Sequence, residues 1–225
     1  WFAGRISAEA IAAIAKSFPI YFTIIAIGVG LTAGTNTLIG NNIGANNKKK
    51  ASLFIAQSII FAIFLSILVT FFGLNVSDFL LSLMGSDQEA IILTRKYLDI
   101  IFYGTIIVLI QISLNGTLNA QGDTKSYRNV LIFSFFLNIF LNPLFIFGYG
   151  FIPAFGISGI AIATVVSQLI GLLYLAYKVY CCELKKYLKL ECFFPKFNLL
   201  AELVYQTIPV MFSMLLIGVG IFNIL

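Results

Sequence analysis

The sequence predicts an all-α protein, a bundle of helices that crosses a membrane several times. Hydrophobic residues make up 60% of the 225 residues and charged residues only 10%. The mean hydropathy of +1.01 lies outside the range of ordinary soluble domains. Charge-free stretches recur that can cross a hydrocarbon core of ~30 Å as a helix. Strands of a membrane β-barrel would instead show ~10-residue segments of alternating apolar and polar residues.

Six hydrophobic segments follow one another along the chain. The longest charge-free run, 129–177, is too long for one helix, but the Gly- and Pro-rich stretch GYGFIPAFGISG divides it into two helices joined by a tight turn. The predicted helices are helix A, Phe18–Asn42; helix B, Ala51–Ser77; helix C, Tyr97–Asn119; helix D, Asn129–Phe151; helix E, Ile157–Tyr180; and helix F, from Leu203 onward.

The basic residues predict the orientation of these helices. Ten of the fourteen Lys and Arg residues lie in alternate connections, hence on one side of the membrane. By the positive-inside rule that side is cytoplasmic, so the start of the chain lies outside a plasma or bacterial inner membrane. The net charge of +5 then reflects topology rather than nucleic-acid binding, which would need a basic patch interleaved with surface aromatics. The ten residues are Lys48, Lys49, Lys50, Lys125, Arg128, Lys178, Lys185, Lys186, Lys189 and Lys196.

Both ends of the chain are expected to be cuts in a longer protein. The chain starts without Met, lacks the pattern of a signal peptide, and stops within the apolar run MLLIGVGIFNIL. The longest polar connection, 181–202, separates five closely linked helices from the sixth. We therefore predict one lobe over 1–180, a cytoplasmic connection over 181–202, and the start of a second lobe over 203–225.

The residue types that enzymes and metal sites need are missing or badly spaced. The sequence has no His, so a Ser–His pair and a His-ligated metalloprotease are both impossible. Cys181, Cys182 and Cys192 do not match the paired CxxC spacing of zinc sites. We expect a non-enzyme without a metal site, apart from a possible site for Na⁺.

The acidic residues lie near helix ends. Asp99 follows Arg95 by four residues and Lys96 by three, so on a helix it can pair with either. Asp123 lies in the turn AQGDTKS. No carboxylate is placed clearly at the bilayer centre, where a proton-coupled mechanism would need one.

Helix A contains the glycine-rich stretch GVGLTAGTNTLIGNNIG. A phosphate-binding loop would follow a strand and, in the P-loop case, end in Gly-Lys-Ser or Gly-Lys-Thr, which is absent. Gly30 with Gly34, and Gly40 with Gly44, are instead small-xxx-small pairs. We expect both pairs to allow close approach of a neighbouring helix.

Helix D carries a polar face in a run without charge. Ser134, Asn138 and Asn142 follow one another at intervals of four residues, and Asn138 lies ~14 Å into the helix, near the bilayer midplane. Pro143 cannot donate a backbone N–H, so it frees the carbonyl of Ile139 and is expected to distort the helix. The residues alone leave two interpretations open: the amides bond neighbouring helices, or they hold a ligand.

Helices C and E carry further polar residues. Gln111, Asn115 and Asn119 recur every four residues on helix C, and Thr164 and Gln168 lie one turn apart on helix E. Such stripes line an interior or a water-filled cavity more readily than they face lipid. Gln111, Asn115 and Gln168 are therefore candidates for lining a cavity, with interhelical hydrogen bonding as the alternative.

Five segments, in the same order, resemble the first half of a multidrug and toxic compound extrusion (MATE) transporter. They are FAGRISAEAIAAIAKSFPI, GLTAGTNTLIGNNIGANNKKKA, LNAQGDTKSYRN, LNIFLNPLFIFGYG and FGISGIAIATVVSQ. The resemblance implies a twelve-helix antiporter of two six-helix lobes, in which helices A to E are helices two to six and helix F begins the second lobe. The family's first helix, with its acidic cation-coupling residue, is expected to precede Trp1.

The resemblance also implies a function. MATE transporters export organic, commonly cationic, drugs or metabolites in exchange for Na⁺ or H⁺, and the cation-binding positions fall here on Asn138, Asn142 and Thr164. Some members have Asp at the position of Asn142; asparagine offers an oxygen to Na⁺ but cannot titrate, so the coupling ion stays open. The alternatives are a lipid or lipid-linked oligosaccharide flippase and a structural or channel-forming protein. The expected partners are a small-molecule substrate and membrane lipid, with no nucleic acid, no cofactor beyond the coupling ion, and a monomeric full-length protein.

Overall fold

The computed structural model describes residues 2–83, 88–150 and 152–224. Within these ranges the chain forms six α-helices, each long and apolar enough to cross a membrane. This confirms the all-α, multi-pass fold. The helices are α1, Ala8–Gly44; α2, Lys48–Leu83; α3, Gln88–Asn119; α4, Lys125–Phe147; α5, Ile157–Tyr180; and α6, Phe197–Ile224, with short 3₁₀ turns at Ala3–Arg5, Glu183–Tyr187 and Leu190–Phe193.

Several helices extend beyond their predicted ends. α1 begins at Ala8 rather than Phe18, and α3 begins at Gln88 rather than Tyr97. The prediction stopped at charged residues, but a helix satisfies its own backbone groups and continues past the hydrocarbon core into the interface. α4 begins at Lys125, four residues before its predicted start, and ends at Phe147; the expected end, Phe151, lies outside the described residues.

The connection between α4 and α5 is the predicted tight turn. Gly148 has a φ of +74°, which favours glycine, and Tyr149 and Ile152 exchange backbone hydrogen bonds of 3.1 Å. A methyl group on Gly159 would lie 2.5 Å from the carbonyl oxygen of Phe145. The start of α5 therefore packs directly on the backbone of α4, which fixes the relative position of these two helices.

The centre of the bundle is α3, which packs against α1, α2 and α5. α1 also packs against α6, and α4 packs against α5. α4 buries Ser126, Val130, Ser134 and Ile146, whereas Phe140 on the same helix is 71% exposed. An exposed aromatic face is expected where a helix meets lipid, because lipid tails solvate apolar side chains.

The two glycine pairs of α1 differ in whether another helix lies against them. A methyl group on Gly30 would lie 2.8 Å from the carbonyl oxygen of Thr207, and one on Gly34 would lie 2.6 Å from the hydroxyl oxygen of the same residue. This pair therefore lets α6 approach closely, as predicted. The prediction for Gly40 and Gly44 is wrong, because no atom of the described residues lies within 4 Å of a methyl group placed on either.

The segment that joins α5 to α6 is docked on α2. The fully buried Gln57 of α2 donates from Nε2 to the carbonyl oxygens of Cys192 and Phe194, each at 2.8 Å. The N–H of Lys196 donates to Gln57 Oε1 at 2.9 Å. α6 begins at Phe197, so the last part of the predicted connection 181–202 is helical. The division into two lobes stays a prediction.

Ion pairs lie at both ends of the helices. Lys48 Nζ is 2.6 Å from Glu183 Oε1, and this contact lowers the pKa of the Glu183 carboxyl through a hydrogen bond and the lysine charge. At the opposite end, Arg95 contacts the carboxylate of Asp78, and its Nε lies 3.5 Å from Asp99 Oδ1. The predicted pairing of Asp99 with Arg95 is confirmed.

Candidate functional site

A hydrogen-bonded cluster joins α4 to α5. Asn138 Nδ2 donates to the carbonyl oxygen of Ser134 and to Ser167 Oγ, both at 2.8 Å. Ser167 Oγ in turn donates to the carbonyl oxygen of Thr164 at 2.8 Å. The cluster therefore links Asn138 to Thr164 through Ser167. The amide nitrogen of Asn138 therefore fits the first of the two interpretations given above, because it bonds a neighbouring helix.

The other amide of α4 behaves differently. Asn142 Oδ1 is buried and has no hydrogen-bond partner among the described residues. It lies one helical turn beyond Asn138 and next to Pro143, past which α4 continues as far as Phe147. Pro143 cannot donate to the carbonyl of Ile139, four residues earlier. The distortion expected at Pro143, and the binding of a cation by Asn142, stay predictions.

The buried side-chain atoms of this cluster that lack a hydrogen-bond partner among the described residues are oxygens. Thr164 Oγ1 uses its proton on the carbonyl oxygen of Ile160 at 2.9 Å, and Asn138 uses both amide hydrogens. Asn142 Oδ1 and Ser134 Oγ are buried without partners in the described part of the chain. An unpaired polar oxygen away from water costs free energy. A cation could satisfy such oxygens, because carbonyl and hydroxyl oxygens coordinate hard cations.

The cavity candidates lie together around a space of about 510 Å³ between α1, α3, α4 and α5. Gln111 and Asn115 of α3 and Gln168 of α5 belong to its wall, so the structure brings these three residues together. Their role in binding stays a prediction. The other lining residues are Tyr21, Ile24, Ile25, Gly28, Val29, Thr32, Ala33, Val108, Ile112 and Tyr127.

Within the described ranges, the amides in this wall make no interhelical hydrogen bonds. Gln111 is 1% exposed, and neither its Nε2 nor its Oε1 has a hydrogen-bond partner among the described residues. Asn115 Oδ1 is likewise buried and unpartnered. Gly171 lies against this amide, since a methyl group there would be 2.9 Å from Gln111 Nε2. These groups can still bond a ligand or water that enters the cavity.

A second cavity, of about 700 Å³, lies between α1, α2 and α3 and is largely apolar. Its wall includes Pro19, Gly73 and Phe102, and it contains none of the residues predicted to bind a ligand. We do not assign it to the candidate site, because a selective pocket needs a few convergent polar groups.

Sequence reasoning missed three contributors to the site. Ser167 lies three residues after Thr164, a helical spacing that places both on one side of α5. Tyr21 and Tyr127 line the cavity from α1 and α4. Tyr127 precedes the predicted start of helix D at Asn129, and aromatic residues are abundant in the predicted segments, so no local signal separated Tyr21 from lipid-facing residues.

More than half of the chain matches a known protein family. The match is to the MatE family model and covers residues 1–144. The chain belongs to the MATE family. Membership of the MATE family explains the six apolar helices, and it confirms the resemblance that the five sequence segments indicated.

Individual relatives agree with this assignment. The chain is 31% identical to a FAD transporter of Shewanella oneidensis over 172 residues, 76% of this chain and 38% of that protein. It is 28% identical to the probable multidrug resistance protein YoeA of Bacillus subtilis over 220 residues, 94% of this chain and 46% of that protein. The chain therefore spans less than half the length of these relatives.

Solved MATE structures have the same fold as this chain. An inward-facing conformation of a multidrug resistance MATE family transporter of the MOP superfamily matches with 30% identity and a TM-score of 0.84, over 95% of this chain and 48% of that one. An outward-facing conformation matches with 29% identity and a TM-score of 0.86, over 98% and 48%. The chain corresponds to about half of a MATE transporter.

Proposed function

We propose that the full-length protein is a monomeric secondary transporter that exports small organic molecules across a cell membrane in exchange for a cation. In this proposal the chain starts on the outer side, the cavity of about 510 Å³ contributes to substrate binding, and the α4–α5 cluster holds the cation. The observation that carries the proposal is Gln111, whose buried amide in the cavity wall has two unpartnered polar atoms among the described residues.

The lining of the cavity favours neutral or cationic substrates. None of the described lining residues carries a charge. Tyr21 and Tyr127 offer aromatic faces that attract organic cations. The amides of Gln111, Asn115 and Gln168 offer hydrogen bonds that would orient a substrate among the apolar residues.

The α4–α5 cluster favours Na⁺ as the ion bound at this site. Asn138, Asn142 and Thr164 carry oxygens that can coordinate a metal ion, and none of the three side chains titrates near neutral pH. Proton coupling would need a titrating group elsewhere. We therefore assign the cluster to Na⁺ binding. Asn142 Oδ1 would gain the most free energy from a bound cation, since it is buried and has no partner in the described ranges.

A flavin nucleotide is the second candidate substrate, because one relative is a FAD transporter. FAD carries a diphosphate, and recognition of phosphates commonly uses Arg or Lys. The described wall of the cavity contains neither. The same absence disfavours a flippase for phosphate-linked lipids.

Efflux from proteoliposomes tests the proposal. We expect an imposed Na⁺ gradient to drive the export of an aromatic organic cation, such as ethidium, by the full-length protein. Asn142→Ala should abolish the dependence on Na⁺, and Gln111→Met should weaken ethidium binding while leaving Na⁺ binding intact. Transport by Asn142→Ala with unchanged rate and unchanged Na⁺ dependence would contradict the proposed cation site.

A further inference from the structure

We infer that Ser167 is a positioning residue that turns the carbonyl oxygen of Asn138, rather than its amino group, toward the cation. This inference rests on the proposed function, because it concerns the same α4–α5 site. An asparagine amide can present either end to a ligand: an oxygen suits a cation, and an NH₂ group suits an anion or a carbonyl. The orientation of Asn138 therefore decides the charge of the ligand.

Two acceptors consume the two amide hydrogens of Asn138. Within α4, the carbonyl oxygen of Ser134 is 2.8 Å from Nδ2, and a carbonyl can only accept. Across to α5, Ser167 Oγ is also 2.8 Å from Nδ2. No hydrogen bond to Asn138 Oδ1 occurs within the described ranges, so this oxygen is the polar group of the side chain left for a ligand.

Ser167 can only accept a hydrogen bond from Asn138, because its own hydroxyl hydrogen is used in another bond. Its hydroxyl donates to the carbonyl oxygen of Thr164 at 2.8 Å. Ser167 is 0% exposed, so exchange of this partner for water is disfavoured. The direction of the chain of hydrogen bonds is thereby fixed from Asn138 to Ser167 to Thr164.

Without the Ser167 hydroxyl, one amide hydrogen of Asn138 loses its acceptor. The amide can then rotate and present its NH₂ group to the site, which would repel a cation. Partners that orient the ligands of a metal ion typically account for about 10- to 100-fold in affinity. We expect Ser167→Ala to raise the Na⁺ concentration needed for half-maximal binding by about tenfold.

The test measures thermal stabilisation of the purified full-length protein by NaCl, with choline chloride at equal ionic strength as the reference. Ser66→Ala is the matched control. Ser66 is 1% exposed, and its hydroxyl makes the same kind of bond as Ser167, to the carbonyl oxygen three residues earlier, at 2.7 Å. It lies on α2, outside the cluster, so its loss should leave the Na⁺ midpoint unchanged.

A second part of the experiment distinguishes a loss of side-chain orientation at position 138 from general destabilisation of the protein. A carboxylate presents an oxygen whichever way it rotates, so in the Asn138→Asp background Ser167→Ala should change the Na⁺ midpoint by less than about twofold. If Ser167→Ala does not fold, Ser167→Cys keeps the volume but replaces the oxygen by a weak acceptor. It should also raise the midpoint.

Each contrary result has a distinct meaning. If Asn142→Ala abolishes the Na⁺ shift while Ser167→Ala leaves the midpoint within about twofold of the wild type, the cation site stands and the role of Ser167 is refuted. An equal loss in Ser66→Ala, or in the Asn138→Asp background, also refutes it. If the wild type shows no stabilisation by NaCl over choline chloride, the proposed Na⁺ site itself fails.

Discussion

Gln57 and Lys196, far apart in the chain, meet where the N–H of Lys196 donates to Gln57 Oε1 at 2.9 Å. Gln57 Nε2 also donates to the carbonyl oxygens of Cys192 and Phe194. The amide of Gln57 thus provides hydrogen bonds for three backbone groups that would otherwise bond water. This one side chain therefore holds the segment before α6 against α2.

Gln57→Met should release this segment. Methionine has a similar size but leaves the backbone partners unpaired, at a cost of about 1–3 kcal/mol for each group that stays buried. We expect faster trypsin cleavage at Lys185, Lys186 and Lys189 and a lower melting temperature. Gln121→Met is the control, since the side chain of Gln121, in the turn that follows α3, bonds only the carbonyl of Thr117, at 3.0 Å, within the described ranges. Equal cleavage rates in the two variants would contradict the role of Gln57.

The same substitution at Gln111 should have the opposite effect on stability. Gln111 has two buried polar atoms without partners in the described part of the chain, so replacing its amide by an apolar group of similar size removes a cost. We expect the melting temperature of Gln111→Met to equal or exceed that of the wild type, while stabilisation by ethidium is weakened. A marked fall in melting temperature would show instead that the amide has structural partners.

Gly30→Ala should disturb the contact between α1 and α6. Its methyl group would lie 2.8 Å from the carbonyl oxygen of Thr207, a backbone atom that can move only with its helix. Overpacking of this kind costs about 1–3 kcal/mol, measurable by thermal or denaturant unfolding of the purified protein. The methyl group of Gly40→Ala, on the same helix, meets no atom within 4 Å in the described part of the chain, so this variant should be neutral or stabilising, because alanine favours helix. Equal destabilisation by both would exclude packing as the cause.

Asp123 should make stability depend on acid pH. Its carboxylate accepts from the hydroxyl of Ser126 at 2.6 Å and from the N–H of the same residue at 3.0 Å, and the hydroxyl bond is the main reason that the pKa of Asp123 lies below its ordinary value of 3.8. A lowered pKa contributes stability above pH 3.8 that is lost as the pH falls through the folded-state pKa.

Asp123→Asn removes the titrating group but keeps one acceptor. We expect its melting temperature to lie below that of the wild type near neutral pH, with the difference narrowing as the pH falls below about 4. Glu191→Gln, which alters an exposed carboxylate of the segment between α5 and α6, is the control. A difference between the wild type and Asp123→Asn that does not change with pH would contradict the role of the ionised carboxylate.

The sequence by itself determined the number and order of the helices, the tight turn between α4 and α5, and the family. Hydrophobicity and turn chemistry are local properties, because a segment's length and lack of charge decide whether it can cross a membrane. The position of the amides on their helices followed from helical periodicity, which was enough to select Gln111, Asn115, Asn138 and Asn142 as candidates.

Only the tertiary structure decided what each polar group does. Gln57 and Gln111 are both buried glutamines in apolar helices, yet one amide is fully bonded and the other has no partner among the described residues. Gly30 and Gly40 belong to equivalent sequence pairs, yet of the two it is Gly30 that touches another helix. These differences depend on contacts between segments far apart in the chain, such as α2 with 192–196 and α1 with α6. Helical periodicity assigns a residue to a face, but it does not specify which atoms the fold brings to that face.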